Sequence, residues 1–240
     1  MHNISNQNGT CLGLVGGLGV GAAVYYYEKL AAALGSDLNL VMVHAQVSEV
    51  YSRVDSGDKD GLAAYLNGLL SRCKAAGANF GIIPALTPHY CLAELEATSP
   101  LALISIFKPL VKELAARSVR RVAVFGTRFV MESAIFGQIT PVDVIVPKPA
   151  ELEFIHETYI SIARTGKFTD AQFRGLTDLA KTFCSRDEAD AVLLAGTDLT
   201  LVFNDSNTEF PAIDCAALHI GAIVAAVRAG RHTDSDQPKL

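Results

Sequence analysis

The chain has 240 residues, 50% of them hydrophobic, with 20 Lys and Arg against 25 Asp and Glu for a net charge of −5. That balance repels a phosphate backbone, so nucleic acid is not expected as a partner. Apolar runs such as 191–195 and 220–227 stop far short of a bilayer span. The polar start, 1–10, has neither the basic head nor the apolar middle of a signal peptide, so a cytoplasmic protein without membrane association is expected.

Short apolar runs alternate with longer stretches of helical periodicity, which predicts βα units around mostly parallel sheets, the α/β class. In chain order, strands are expected at 11–15, 38–44, 79–84, 101–106, 119–125, 142–146 and 189–195. Helices are expected at 22–34, 58–76, 89–98, 107–117, 129–139, 150–164, 170–186 and 215–229. Five cysteines (Cys11, Cys73, Cys91, Cys184, Cys215) form no C-x-x-C pair and sit mostly among apolar neighbours. They read as small core residues in a reducing compartment, with no disulfide framework and no zinc site.

The two halves echo each other. The first runs 12–15 into Gly16-Gly17 and later 81–84 towards Thr87; the second runs 122–125 into Gly126-Thr127 and later 192–195 towards Thr197. This predicts two similar lobes related by a pseudo-twofold, residues 1–106 and 107–214. A helix at 215–229 is expected to pack back on the first lobe, followed by a frayed tail, 230–240. Ligands in α/β sheets gather beyond the carboxyl ends of strands, so the four turns predict an interlobe cleft for a small molecule.

Gly17, Gly19 and Ala22 satisfy G-x-G-x-x-A between a strand and a helix, where a pyrophosphate meets backbone N–H groups in dinucleotide sites. Such a site also wants an acidic residue after the second strand, and the chain offers His44-Ala45-Gln46 there. Two other readings stay open: glycines that let the helix approach the sheet, or a helix N-terminus that attracts a carboxylate. No cofactor is expected.

Leu14-Val15-Gly16-Gly17-Leu18-Gly19 with Tyr26-Tyr27-Glu28-Lys29-Leu30, then Phe125-Gly126-Thr127 with Met131-Glu132-Ser133, and Asp214 with His219 follow one another as in a known family. With Pro84-Ala85-Leu86-Thr87-Pro88-His89 and Ala195-Gly196-Thr197-Asp198-Leu199, the chain resembles the aspartate/glutamate (Asp/Glu/hydantoin) racemase family over nearly its whole length. The resemblance implies cofactor-independent racemisation or isomerisation of small carboxylic acids by two facing cysteines, one acting as base and the other as acid. It places those cysteines at Ala85 and Gly196, neither of which can carry a proton. It puts Leu86 where the family has a carboxylate-gripping Asn, Ala23 for a first-helix Thr, and Cys215 for a small hydroxyl residue. Plain aspartate or glutamate racemisation is therefore not expected, because an unpaired charge buried beside Leu86 costs several kcal/mol.

What the motifs retain sets the remaining expectations. Gly16, Gly17, Leu86, Thr87, Thr127, Gly196 and Thr197 are expected to contact the substrate, with the threonine hydroxyls and nearby N–H groups holding a carboxylate or carbonyl. Asp198, His89 or His219 is expected to move the proton, with no metal involved. Each has a plainer role open to it: Asp198 as a cap, His89 as a loop-orienting hydrogen-bonding residue, and His219 as a buried helix histidine. Cys91 and Cys215 lie away from the turns. The first functional expectation is an isomerase or lyase acting on a small carboxylic acid or carbonyl compound by other than two-thiol chemistry, as a homodimer. The alternative is a catalytically silent ligand-binding or regulatory protein that kept the cleft.

Overall fold

The structure, a computed structural model, describes residues 10–235; the expectations for 1–9 and 236–240 lie outside the described residues. The first lobe carries β1 (Leu12–Gly16), β2 (Leu40–His44), β3 (Phe80–Ile82) and β4 (Ala102–Leu103), parallel in the order β2-β1-β3-β4. The second carries β5 (Arg121–Phe125), β6 (Asp143–Val144), β7 (Ala191–Leu194) and β8 (Ala212–Asp214), parallel in the equivalent order β6-β5-β7-β8. Around them pack α1 (Val20–Leu34), α2 (Val47–Asp55), α3 (Lys59–Ala75), α4 (Leu92–Thr98), α5 (Phe107–Ala116), α6 (Arg128–Glu132), α7 (Pro149–Thr165), α8 (Asp170–Arg186) and α9 (Cys215–Ser235). The fold is two parallel sheets, each flanked by helices.

The central strands follow from unbroken apolar runs. β1 and β7 are buried at every residue, as strands covered by helices on both faces must be. The helices follow from stripes and stops. α7 starts with Pro149 at its first position, buries Leu152, Ile155, Tyr159 and Ile162 at helical spacing, and ends on Gly166 at φ 64. α8 opens on a capping box in which the Thr169 hydroxyl accepts from the Gln172 amide at 3.2 Å and Gln172 accepts from the Thr169 amide at 2.9 Å.

Several expected elements differ. The strands expected at 101–106 and 142–146 shrink to two residues each at the edges of their sheets, while the edge strand β2 keeps five. The helix expected at 129–139 breaks at Ser133, whose ψ of 154 is extended, into α6 and a short 3₁₀ segment Ala134–Ile139. α2 and β8 were not expected: α2 buries only Val50 and Val54, and β8 is three residues long. α9 runs on to Ser235, so 230–235 continues the helix where a frayed tail was expected.

α9 follows the last strand of the second lobe yet packs on the first. Its Ala216, Ile220, Ile223 and Val227 form one core with Leu12, Leu14, Tyr26, Leu30, Leu34 and Ile82. No helix among the described residues is long and apolar enough to cross a membrane.

Candidate active site

In each sheet the chain leaves the two central strands, β1 and β3 or β5 and β7, in opposite directions, creating a switch point where loops splay apart at the carboxyl ends. The four turns flagged in the sequence sit at these two points. The Phe125 carbonyl accepts from the amides of both Ala195 and Gly196 at 2.9 Å, tying the turn after β7 to the end of β5. The Thr127 hydroxyl caps α6 by accepting from the Val130 amide at 3.2 Å.

Contacts then cross between the lobes. Thr197 Oγ1 donates to the Pro84 carbonyl at 3.0 Å, and the hydroxyls of Thr87 and Thr127 lie 3.4 Å apart. Both contacts are buried, so they form in a low-dielectric setting that strengthens them. The lining of the cavity they frame includes Tyr51, Leu86, Thr87, Thr127, Tyr159 and Gly196 among mostly apolar neighbours. Its volume is about 20 Å³, enough for one water molecule and far below the few hundred Å³ of a typical ligand pocket. A wider, open groove of about 500 Å³ beyond β7 and β8, floored by Phe203 and Phe210, includes none of the predicted site residues.

Asp198 sits directly behind the cavity at 0% exposure. Its Oδ1 accepts from the Ala22 amide of α1 at 2.8 Å, and its Oδ2 accepts from the Tyr159 hydroxyl at 3.2 Å. Burial pushes the carboxyl above its ordinary pKa, partly offset by those two donors. Burial and the neighbouring Asp198 charge likewise push the Tyr159 phenol well above its ordinary value, and burial with Asp198 and Asp55 raises Tyr51. The ring of Tyr159 lies against the α-carbon of Gly196, over the turn that follows β7.

The other predicted residues are placed elsewhere. Gly16 closes β1 with Ala23 and Met42 beside it, and Gly17, at φ +85, packs against the Ala45 carbonyl and the His44 ring; neither lines the cavity. His89 donates from Nδ1 to the Ala85 carbonyl at 2.7 Å and meets the Phe107 ring edge-on, and burial lowers its pKa to about 4. His219 is held by both ring nitrogens. Nε2 donates to the Ile104 carbonyl at 2.7 Å and Nδ1 accepts from the Tyr26 hydroxyl at 3.0 Å, which sets the tautomer, and burial lowers its pKa to about 3. Neither imidazole lines the cavity. Nor does Cys91, pushed up to about 12 by burial, or Cys215, raised by the same cause. Among the described residues no three His, Cys, Asp or Glu side chains group as a metal ion would require.

Two residues at the site escaped the sequence reading. Tyr159 lies on the apolar stripe of α7 and reads there as an ordinary core aromatic. Tyr51 lies on α2, where no element was expected.

The structure is thus one of two similar parallel-sheet lobes whose switch points meet at a cavity between them. Residues 15–223 match the Asp/Glu/Hydantoin racemase family, and the chain belongs to that family. Among solved structures, a candidate Asp/Glu racemase from Yersinia pestis is 20% identical, with a TM-score of 0.77 over 91% of this chain and 99% of that one. An aspartate racemase homologue from Pyrococcus horikoshii is 19% identical, with a TM-score of 0.76 over 91% and 99%. The Picrophilus torridus aspartate racemase is 16% identical, with a TM-score of 0.75 over 92% and 95%. At these identities the likeness is one of fold.

Proposed function

We propose that this chain is an isomerase or lyase that acts on a small carboxylic acid or related carbonyl compound without a cofactor, moving the proton through Tyr159 and Asp198 in place of two thiols. The observation that carries the reading is the 3.2 Å hydrogen bond from the Tyr159 phenol to Asp198, made by a ring that covers Gly196 at the cavity wall. Gly196 is where the family resemblance puts one of the lost cysteines, so an ionisable group stands at that wall after all.

Asp198 Oδ1 is fixed by the Ala22 amide, which aims Oδ2 at the phenol. The raised proton affinity of the buried carboxylate suits a base working nearer to neutral pH. As the substrate C–H bond breaks, its proton joins the phenol oxygen while the phenol proton passes to Oδ2, and the electron pair remains on the substrate as an enolate. The hydroxyls of Thr87 and Thr127 supply donors for the enolate oxygen, and reversal of the relay returns a proton to carbon.

The test is carbon-bound hydrogen exchange by NMR in deuterated water, with a panel of small 2-substituted carboxylic acids. The native chain is expected to exchange at least one acid, and Asp198→Asn and Tyr159→Phe to lose about 10²-fold or more of that rate while staying folded. Unchanged exchange in either variant removes the pair from the mechanism. The silent ligand-binding reading draws its support from the apolar Leu86 in the cavity wall. Binding of an acid by the native chain with no exchange and no product would favour it.

A further inference from the structure

We infer that Tyr51 is a second proton carrier, placed to deliver a proton to the face of the substrate carbon opposite Tyr159. The assignment rests on the relay proposed above, and it makes the reaction a stereochemical inversion. Working alone, the relay puts the proton back on the face it left, so configuration changes only where another acid stands across the cavity. Tyr159 reaches the cavity from α7 of the second lobe, and Tyr51 reaches it from α2 of the first. The space between them is about 20 Å³, the room of one water, so a reacting carbon held there lies within reach of both phenols.

The two phenols differ in what their hydroxyls already do. Tyr159 spends its proton on Asp198. The Tyr51 hydroxyl has no hydrogen-bond partner among the described residues, and it is not one of their sealed unpaired polar atoms, so it opens on accessible space. The charge of Asp198 is felt at the Tyr51 phenol and that of Tyr51 at the Tyr159 phenol, which sets the unspent hydroxyl on the cavity side of α2. Burial, and then the Asp198 and Asp55 charges, keep the Tyr51 phenol protonated at neutral pH, the form a donor needs. Its helix is anchored: Val50 and Val54 are buried, and the Gln46 amide at its start donates to the Tyr65 hydroxyl at 2.7 Å. As the enolate collapses, its electron pair takes the Tyr51 proton to form the new C–H bond, and the O–H pair stays on the phenol oxygen as phenolate. Once product leaves, water returns a proton to Tyr51 and removes the one held by Asp198, so the cycle balances. The opposite enantiomer runs the same steps in reverse.

The test uses single enantiomers of an acid that the native chain exchanges, in deuterated water, with NMR reading exchange and chiral separation reading inversion. The native chain is expected to exchange either enantiomer and to release labelled product of inverted configuration. Tyr51→Phe is expected to lose about 10²-fold or more of the inversion, and of the exchange from one enantiomer, while exchange from the other persists with retention. No hydrogen bond of the fold is removed, so its Tm should match the native value. Native exchange with complete retention, undiminished inversion in Tyr51→Phe, or an equal loss of exchange from both enantiomers would each overturn the assignment and leave the relay of Tyr159 and Asp198 standing. A Tm well below the native value would also overturn it, since the hydroxyl would then belong to the fold. No exchange of any acid by the native chain removes the relay and this role with it.

Discussion

The ring of Tyr159 occupies the space into which a side chain at Gly196 would grow: a Cβ built there lies 2.5 Å from Cδ2 and 2.9 Å from Cζ. The two positions come from α7 and from the turn after β7, so the small residue and the large one are complementary across the packing of one lobe. Gly196→Ala is expected to cost about 1–3 kcal/mol by overpacking. Tyr159→Phe keeps the offending ring atoms and should give no relief, whereas Tyr159→Leu should. Urea titration of the single and double variants measures the coupling, and strict additivity of Gly196→Ala with Tyr159→Leu would contradict it.

Tyr159→Phe alone isolates the hydroxyl. It leaves Oδ2 of the buried Asp198 without its donor, so a destabilisation of about 1.5–3 kcal/mol is expected, the range for hydrogen bonds to charged groups. The loss should be largest at high pH, where Asp198 is ionised, and should shrink as acidification protonates the carboxyl. A cost that grows as the solution is acidified would mean the hydroxyl interacts with something other than a carboxylate.

His89 and His219 make the fold acid-sensitive. Burial holds both neutral in the folded state, with pKa values of about 4 and about 3 against 6.5 when exposed. Between those limits the unfolded chain binds more protons than the folded one, so their contribution is complete above pH 6.5 and is lost as pH falls. At pH 5, some 1.5 units below the exposed value, each histidine costs about 2 kcal/mol and the pair about 4 kcal/mol. Asp198 and Asp214, raised by burial, oppose this, because the folded state takes up protons before the unfolded one as pH falls through their elevated pKa values. The expected net result is lower stability at pH 5 than at pH 7 by urea unfolding, with a shallower pH slope in His219→Gln. An unchanged pH slope in His219→Gln would refute the buried-neutral assignment of that histidine.

The two similar parallel-sheet lobes were readable because helix-covered parallel strands are continuous apolar runs, and both halves place Gly and Thr just beyond them. Of the edge strands, β4 and β6 were expected but came out shorter than their apolar runs, whereas the three residues of β8 leave no pattern of their own. At the site, Thr87, Thr127 and Thr197 could be singled out from turn chemistry. Their pairing with each other and with the Pro84 carbonyl depends on how one lobe meets the other, which no local pattern encodes. Asp198 was visible both as a cap and as a proton carrier. What it caps is a helix 176 positions earlier, beyond the reach of any motif window. Tyr159 stayed hidden for the opposite reason: its spacing fits a core stripe so well that nothing marks its hydroxyl as spoken for.

The threonines offer a separation of closure from ligand contact. Thr197→Val keeps the shape of the side chain but removes the donor to the buried Pro84 carbonyl, so a cost of about 1–3 kcal/mol is expected with the cavity lining unchanged. Thr87→Val breaks a longer hydroxyl pair of 3.4 Å and should cost less, under about 1 kcal/mol. Thr87 lines the cavity while Thr197 lies behind it, so the order should reverse for ligands: a bound acid should lose more affinity in Thr87→Val than in Thr197→Val. Thermal melts and titration of the two variants with the same acid compare the rankings. If Thr197→Val is the more damaging to both stability and affinity, Thr87 belongs to the lobe contact alone and the cavity wall has to be redrawn.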